Sequence, residues 1–129
     1  MGNKPEQNLQ KVLCQWIRIQ YPDVYFMSDA SGLPIKSWGL RLLLKTTRSN
    51  HAAMDIVILE PKGKWHGLVI ELKKSSPFKK DGSLLSGEHI RDQQKTIDHL
   101  NRVGYYAQFV WDFEVGKELI ETYLTFRKR

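Results

Sequence analysis

Met-Asp-Ile-Val-Ile-Leu-Glu-Pro-Lys-Gly-Lys-Trp-His-Gly-Leu-Val-Ile-Glu-Leu-Lys-Lys, residues 54–74, is the stretch that decides the fold. It reads as two strands joined by a turn at Pro61-Lys62-Gly63. Strand side chains alternate between faces. Leu68, Ile70 and Leu72 therefore form one apolar face that calls for a core, while Val69, Glu71 and Lys73 lie on the other. Asp55 opens the first strand, and fifteen residues separate it from Glu71. That is the reach of a tight hairpin, so the two carboxylates can occupy neighbouring positions on adjacent strands. Two hard carboxylate oxygens, the Leu72 backbone carbonyl and waters suit Mg²⁺, an ion that keeps several of its waters; Mn²⁺ would substitute. Lys73, on the face of Glu71, can orient or deprotonate an attacking water and neutralise a pentacoordinate phosphate. Those are the parts of metal-assisted phosphodiester hydrolysis. The spacing is also permissive, and a cross-strand ion pair at a sheet end would produce the same pattern.

On the N-terminal side, residues 5–20 read as an amphipathic helix with Leu9, Leu13, Trp16 and Ile17 on one stripe and Pro5 at a first-turn position. Glu6 lies at the start of that stripe. It either complements the helix dipole or aims into a site, where it would bind metal through water. Cys14 sits beside the stripe as a small packing residue. Tyr21-Pro22-Asp23 ends the helix and Val24–Met27 reads as a short strand. Ser28 to Trp38 reads as a loop, Leu40–Lys45 as an apolar run of unassigned type, and Thr46 to Ala53 as an irregular polar segment that delivers Asp55.

On the C-terminal side, Ser75 to Gly87 reads as a long loop without an apolar period. Lys73, Lys74, Lys79 and Lys80 on and beside it form either a solvated surface or a basic clamp on a phosphate backbone. Glu88 to Val103 is a second helix, with Ile90, Ile97 and Leu100 inward and Gly104 as its stop. Gln93 falls on that apolar face, where a buried amide must find partners. Either backbone satisfies it, or it reaches the carboxylates and helps hold Lys73 or the attacking water. Gln94 points elsewhere. Tyr105 to Val110 is a strand, and Glu114 to Phe126 a closing helix with Leu119, Ile120, Tyr123 and Leu124 inward. The order α-β-β-β-α-β-α predicts an α/β fold, a mixed β-sheet flanked by helices.

Residues 1–129 are expected to form one domain with a core that needs no disulfide. No apolar run approaches a membrane span, and the polar start, Met-Gly-Asn-Lys-Pro-Glu, lacks a signal-peptide core. The lone Cys14 excludes an internal disulfide and fits a reducing cytoplasm. A net charge of +6, from 20 basic and 14 acidic residues, favours a polyanionic partner. His51, His66, His89 and His99 show no ligand spacing, which argues against zinc, and no Gly-rich phosphate loop is present.

Several of these motifs resemble one nuclease group. Glu6, Met54-Asp55, Trp65–Lys73, Asp92-Gln93, Gly104–Ala107 and the closing segments Phe113-Glu114 and Tyr123-Leu124 are similar to the PD-(D/E)XK superfamily. Within it they resemble the VRR-NUC family and its small stand-alone, phage-type members. The resemblance implies a restriction-endonuclease-like core, Mg²⁺ held by Asp55 and Glu71, a site completed by Lys73 and Gln93, and Glu6 as a first-helix acid. It further implies DNA as substrate, often branched or Holliday-junction DNA, a homodimer in many members, and a bacterial or phage-infected cytoplasm. Where the family carries Gly-x-Pro-Asp this chain has Ala52-Ala53-Met54-Asp55, which alters how the loop enters the strand and leaves the ligand chemistry in place. Trp38, Trp65 and Trp111 are either core or platforms for unstacked bases. A catalytically inactive nucleic-acid-binding or partner-binding module on the same fold is the alternative, although it would be free to lose Asp55, Glu71 or Lys73, and none is lost.

Overall fold

Leu68–Leu72, strand β3, is buried along its whole length, and the rest of the chain is arranged to cover it. The computed structural model describes residues 5–29 and 37–127. Along the chain come α1 (Pro5–Gln20), β1 (Phe26–Ser28), α2 (Trp38–Thr46), β2 (Ile56–Ile58), β3, α3 (Glu88–Arg102), β4 (Tyr106–Val110) and α4 (Phe113–Leu124). The sheet order is β1-β2-β3-β4. β1 and β2 pair antiparallel, as do β2 and β3, whereas β3 and β4 run parallel. The sheet is therefore mixed, in an α/β architecture.

The parallel pair dictates the layering. Two parallel neighbours need a crossover, and α3 supplies it, lying on the sheet face opposite α1 and α4. Leu13 and Ile17 of α1 and Ile120 of α4 pack with Ile58, Leu68 and Ile70 on one face. Val69, Ala107 and Phe109 pack with Ile97 of α3 and Met54 on the other. The sequence pattern predicts one apolar face for β3; the structure covers both. Glu71 thus ends a buried row rather than standing on an open face.

Two further expectations are revised. The unassigned run Leu40–Lys45 belongs to helix α2, started by Ser37, whose side chain accepts from the Leu40 N–H at 3.2 Å. None of its residues is buried, so no burial pattern marked it as a helix, and the element order gains one α. The loop at 75–87 has a core of its own. Pro77 is fully buried, and Phe78 packs edge-on against Phe109 and Trp111 at 6.1 and 6.0 Å. Backbone bonds from Leu85 to Pro77 and from Lys79 to Ser83 tie the loop together. Of the loop expected at 28–38, residues 30–36 lie outside the described residues, while Ser28 belongs to β1 and Trp38 to α2. Residues 1–4 of the polar start and 128–129 of the basic tail also lie outside.

Gly67 enters β3 where backbone meets backbone. A Cβ there would stand 2.7 Å from the Ile58 carbonyl oxygen, and strand backbone cannot step aside as a side chain can. Gly67→Ala is expected to destabilise the fold by on the order of 1–3 kcal/mol; urea unfolding with an unchanged m-value would register the loss.

Candidate active site

The β2–β3 register sets the geometry. Ile56 faces Ile70, and continuing that register places Asp55 opposite Glu71. The Asp55 N–H donates to the Ile70 carbonyl at 3.0 Å. Its side chain then extends the ladder beyond the end of β2: Oδ2 accepts the Leu72 N–H at 2.7 Å. In an extended strand the N–H and C=O of one residue point to the same side. The Leu72 carbonyl therefore faces Asp55 as well, where the sequence predicts a backbone ligand.

A cleft of about 430 Å³ opens at this point. It is lined by Glu6, Gln7 and Gln10 of α1, by Arg48, Ala52, Ala53 and Asp55, by Glu71, Leu72 and Lys73 at the end of β3, and by His89 and Gln93 of α3. Asp55, Glu71, Leu72, Lys73, Gln93 and Glu6 thus converge on one cavity. Lys74, Lys79 and Lys80 are exposed and do not line it. Trp65 is packed against Tyr106 and Phe126, and Trp111 against Phe78; Trp38 is 77% exposed.

Glu71 is 5% exposed. Gln93 donates from Nε2 to Glu71 Oε1 at 2.6 Å, and the same amide nitrogen lies 3.1 Å from His89 Nε2. Glu71 Oε2 is buried without a partner among the described residues. Asp55 and Glu71 lie within hydrogen-bonding reach of each other, yet neither carries a donor when ionised. Burial first, and then the neighbouring Asp55 charge, push the Glu71 carboxyl up to about 9. Burial also raises Asp55, opposed by the Leu72 N–H. The Glu6 charge raises both. Two anions so placed require either a shared proton or a cation between them.

The residues present fit a hard divalent cation: two carboxylates, an unpartnered oxygen and a strand carbonyl on the same side. Among the described residues no three His, Cys, Asp or Glu side chains form a ready ligand set. A cation between Asp55 and Glu71 would therefore have to complete its shell with water. His51 and His99 stack on each other at 4.4 Å, away from the acids. If a cation displaces the Glu71 proton, binding must release that proton. Apparent Mg²⁺ affinity is therefore expected to rise with pH from neutrality towards about 9. Calorimetric titrations at neutral pH in buffers of different ionisation enthalpy should show close to one proton released per ion for wild type, and no binding heat for Glu71→Gln.

Several residues in or beside the cleft escape the sequence patterns. Gln10 lies four residues after Glu6 on the same helix, and His89 four before Gln93, so helical spacing could have found both. Thr96, three after Gln93, accepts the Ala52 N–H at 3.0 Å and pins the loop that delivers Asp55. Arg48 carries no signal at all, because it lies in an irregular segment.

Among solved structures the chain superposes on a "VRR_NUC domain protein" with a TM-score of 0.66 and 21% identity, over 96% of this chain and 91% of that one. The two chains share a fold. No protein-family model matches the sequence, and no curated protein matches it. In this chain the cleft sits where a parallel strand pair and its crossover helix meet the end of an antiparallel hairpin. No helix among the described residues is long and apolar enough to cross a membrane.

Proposed function

We propose that the chain is a nuclease of the VRR-NUC type, a divalent-metal-dependent endonuclease that hydrolyses DNA phosphodiester bonds. The observation that carries it is the opposition of Asp55 and Glu71 across the β2–β3 register, with one carboxylate oxygen buried and unpartnered. The similarity of fold to a VRR_NUC domain protein and the net charge of +6 support it.

Asp55, Glu71 and the Leu72 carbonyl would hold Mg²⁺, which when bound supplies Lewis-acid polarisation of the phosphoryl oxygen. The chain's own residues do the rest. The Leu72 N–H fixes the Asp55 carboxylate, and Gln93 fixes that of Glu71. Lys73, its Nζ 5.8 Å from the Phe109 ring centroid, presents an ammonium to the cleft. There it neutralises charge developing on the phosphate and orients the attacking water. Glu6 adds negative charge that favours a cation. Branched or junction DNA is the substrate class we propose to test first, with the protein acting as a homodimer where both strands are cut.

The test is cleavage of plasmid, linear duplex, four-way-junction DNA and an RNA duplex with Mg²⁺, with Mn²⁺ and with chelator. Lys73→Ala is expected to reduce Mg²⁺-dependent cutting by about 10²–10³-fold while leaving the Mg²⁺-induced rise in Tm in place. Salt-sensitive DNA binding with no metal-dependent cutting would instead identify an inactive binding module.

A further inference from the structure

We infer that Arg48, held by Asp29, is the residue that grips a backbone phosphate of the substrate strand in the cleft. This inference rests on the nuclease reading of Asp55 and Glu71. Arg48 lines the same cavity as those acids and Lys73, although it follows α2, an element with no buried residue. What fixes it is Asp29. Arg48 Nη2 donates to Asp29 Oδ1 at 3.1 Å and reaches Oδ2 at 3.5 Å, and the two side chains are 29% and 20% exposed.

Asp29 is itself built into the site. Its N–H donates to the Asp55 carbonyl at 2.8 Å, and Gln10 donates to its carbonyl at 2.8 Å. The guanidinium is thus referenced to the backbone of a proposed metal ligand through one hydrogen-bonded residue. Gln10 reaches the Asp55 carbonyl as well, at 3.4 Å.

A guanidinium carries five N–H donors in a planar fork. Asp29 engages Nη2 alone, which leaves the Nε and Nη1 donors without a partner among the described residues. Unlike the flexible ammonium of lysine, that fork matches the non-bridging oxygens of a phosphodiester two at a time. The charge balance agrees. A divalent cation is offset by Asp55 and Glu71, Arg48 by Asp29 and Lys73 by Glu6, so the directed N–H donors left on Arg48, and not a surplus of charge, are what meets an arriving phosphate. Lys74, Lys79 and Lys80, exposed outside the cleft, do not offer this.

A purely structural ion pair, tying the segment after α2 to β1, would make different predictions. The experiment measures oligonucleotide binding to the full chain against salt, with steady-state cleavage in Mg²⁺, for wild type, Arg48→Ala, Arg48→Lys and Asp29→Asn. Arg48→Ala is expected to reduce the slope of log K against log[salt] by about 0.9, the value of one lost contact. It should also raise KM about tenfold with kcat within about threefold, and leave the Mg²⁺-induced rise in Tm unchanged. Arg48→Lys, which can keep the ion pair and the fold, should retain the salt slope but show a raised KM. Asp29→Asn should raise KM with the slope retained. An Arg48→Ala protein that loses Tm while keeping the wild-type salt slope and KM would overturn the assignment, as would an Arg48→Lys protein with wild-type KM. Wild type that neither binds nor cuts DNA would overturn the nuclease reading, and this inference with it.

Discussion

Glu71→Gln is expected to abolish metal-dependent cleavage and, in the same protein, to raise the Tm of the metal-free form at pH 8. Both effects come from one buried carboxyl. As the proposed metal ligand, Glu71 would have to give up its proton; as a buried group beside Asp55 it resists doing so, with its carboxyl pushed up to about 9. The sign follows directly. An acid whose proton is held more tightly folded than unfolded stabilises the fold below its unfolded value, and that contribution is lost as pH rises through the folded value. The metal-free protein should therefore weaken between about pH 5 and pH 9. Glutamine has the shape of the protonated acid and no charge to desolvate, so it removes the decline. Above pH 8 the variant should melt on the order of 5 °C higher than wild type without metal, and Mg²⁺ should reverse that order by stabilising wild type alone. Melting curves with and without Mg²⁺ across pH 5–9 check both halves.

Asp55 should respond differently to two substitutions. Asp55→Ala removes a proposed ligand and also orphans the Leu72 N–H, which now donates to Oδ2 at 2.7 Å. Activity is expected to fall by about 10³-fold or more. Stability should fall by on the order of 1–3 kcal/mol, the desolvation penalty of a buried donor left unpaired. Asp55→Asn retains an amide oxygen that can accept the Leu72 N–H. It should therefore lose comparable activity with little loss of stability. Parallel cleavage assays and urea titrations separate the ligand role from the ladder role. Equal stability losses in both variants would mean that the Leu72 bond contributes little.

What was legible in the sequence followed from periodicity. The alternation in residues 68–72 located β3, and helical spacing put Gln93 inward, where it meets Glu71. The same alternation misled about Val69, because two-period patterning assigns residues to faces without saying which faces are covered. That depends on the β3–β4 crossover through α3, a long-range pairing. Helix α2 gave no burial pattern because nothing in it is buried. The packing of Phe78, in a loop without an apolar period, depends on Phe109 and Trp111, which arrive some thirty residues later. Arg48 was invisible for a related reason: its position is set by Asp29 and, through it, by Asp55, a tertiary relation with no local signature.

All of this depends on two carboxylates from neighbouring strands closing on one ion. The most direct measurement is an anomalous-difference map from crystals soaked in Mn²⁺. A single strong peak is expected between Asp55 and Glu71, about 2–2.4 Å from an oxygen of each and within the same range of the Leu72 carbonyl. A map with no peak there, while Asp55 and Glu71 remain in contact at a pH above 9, would contradict the metal site and the chemistry built on it.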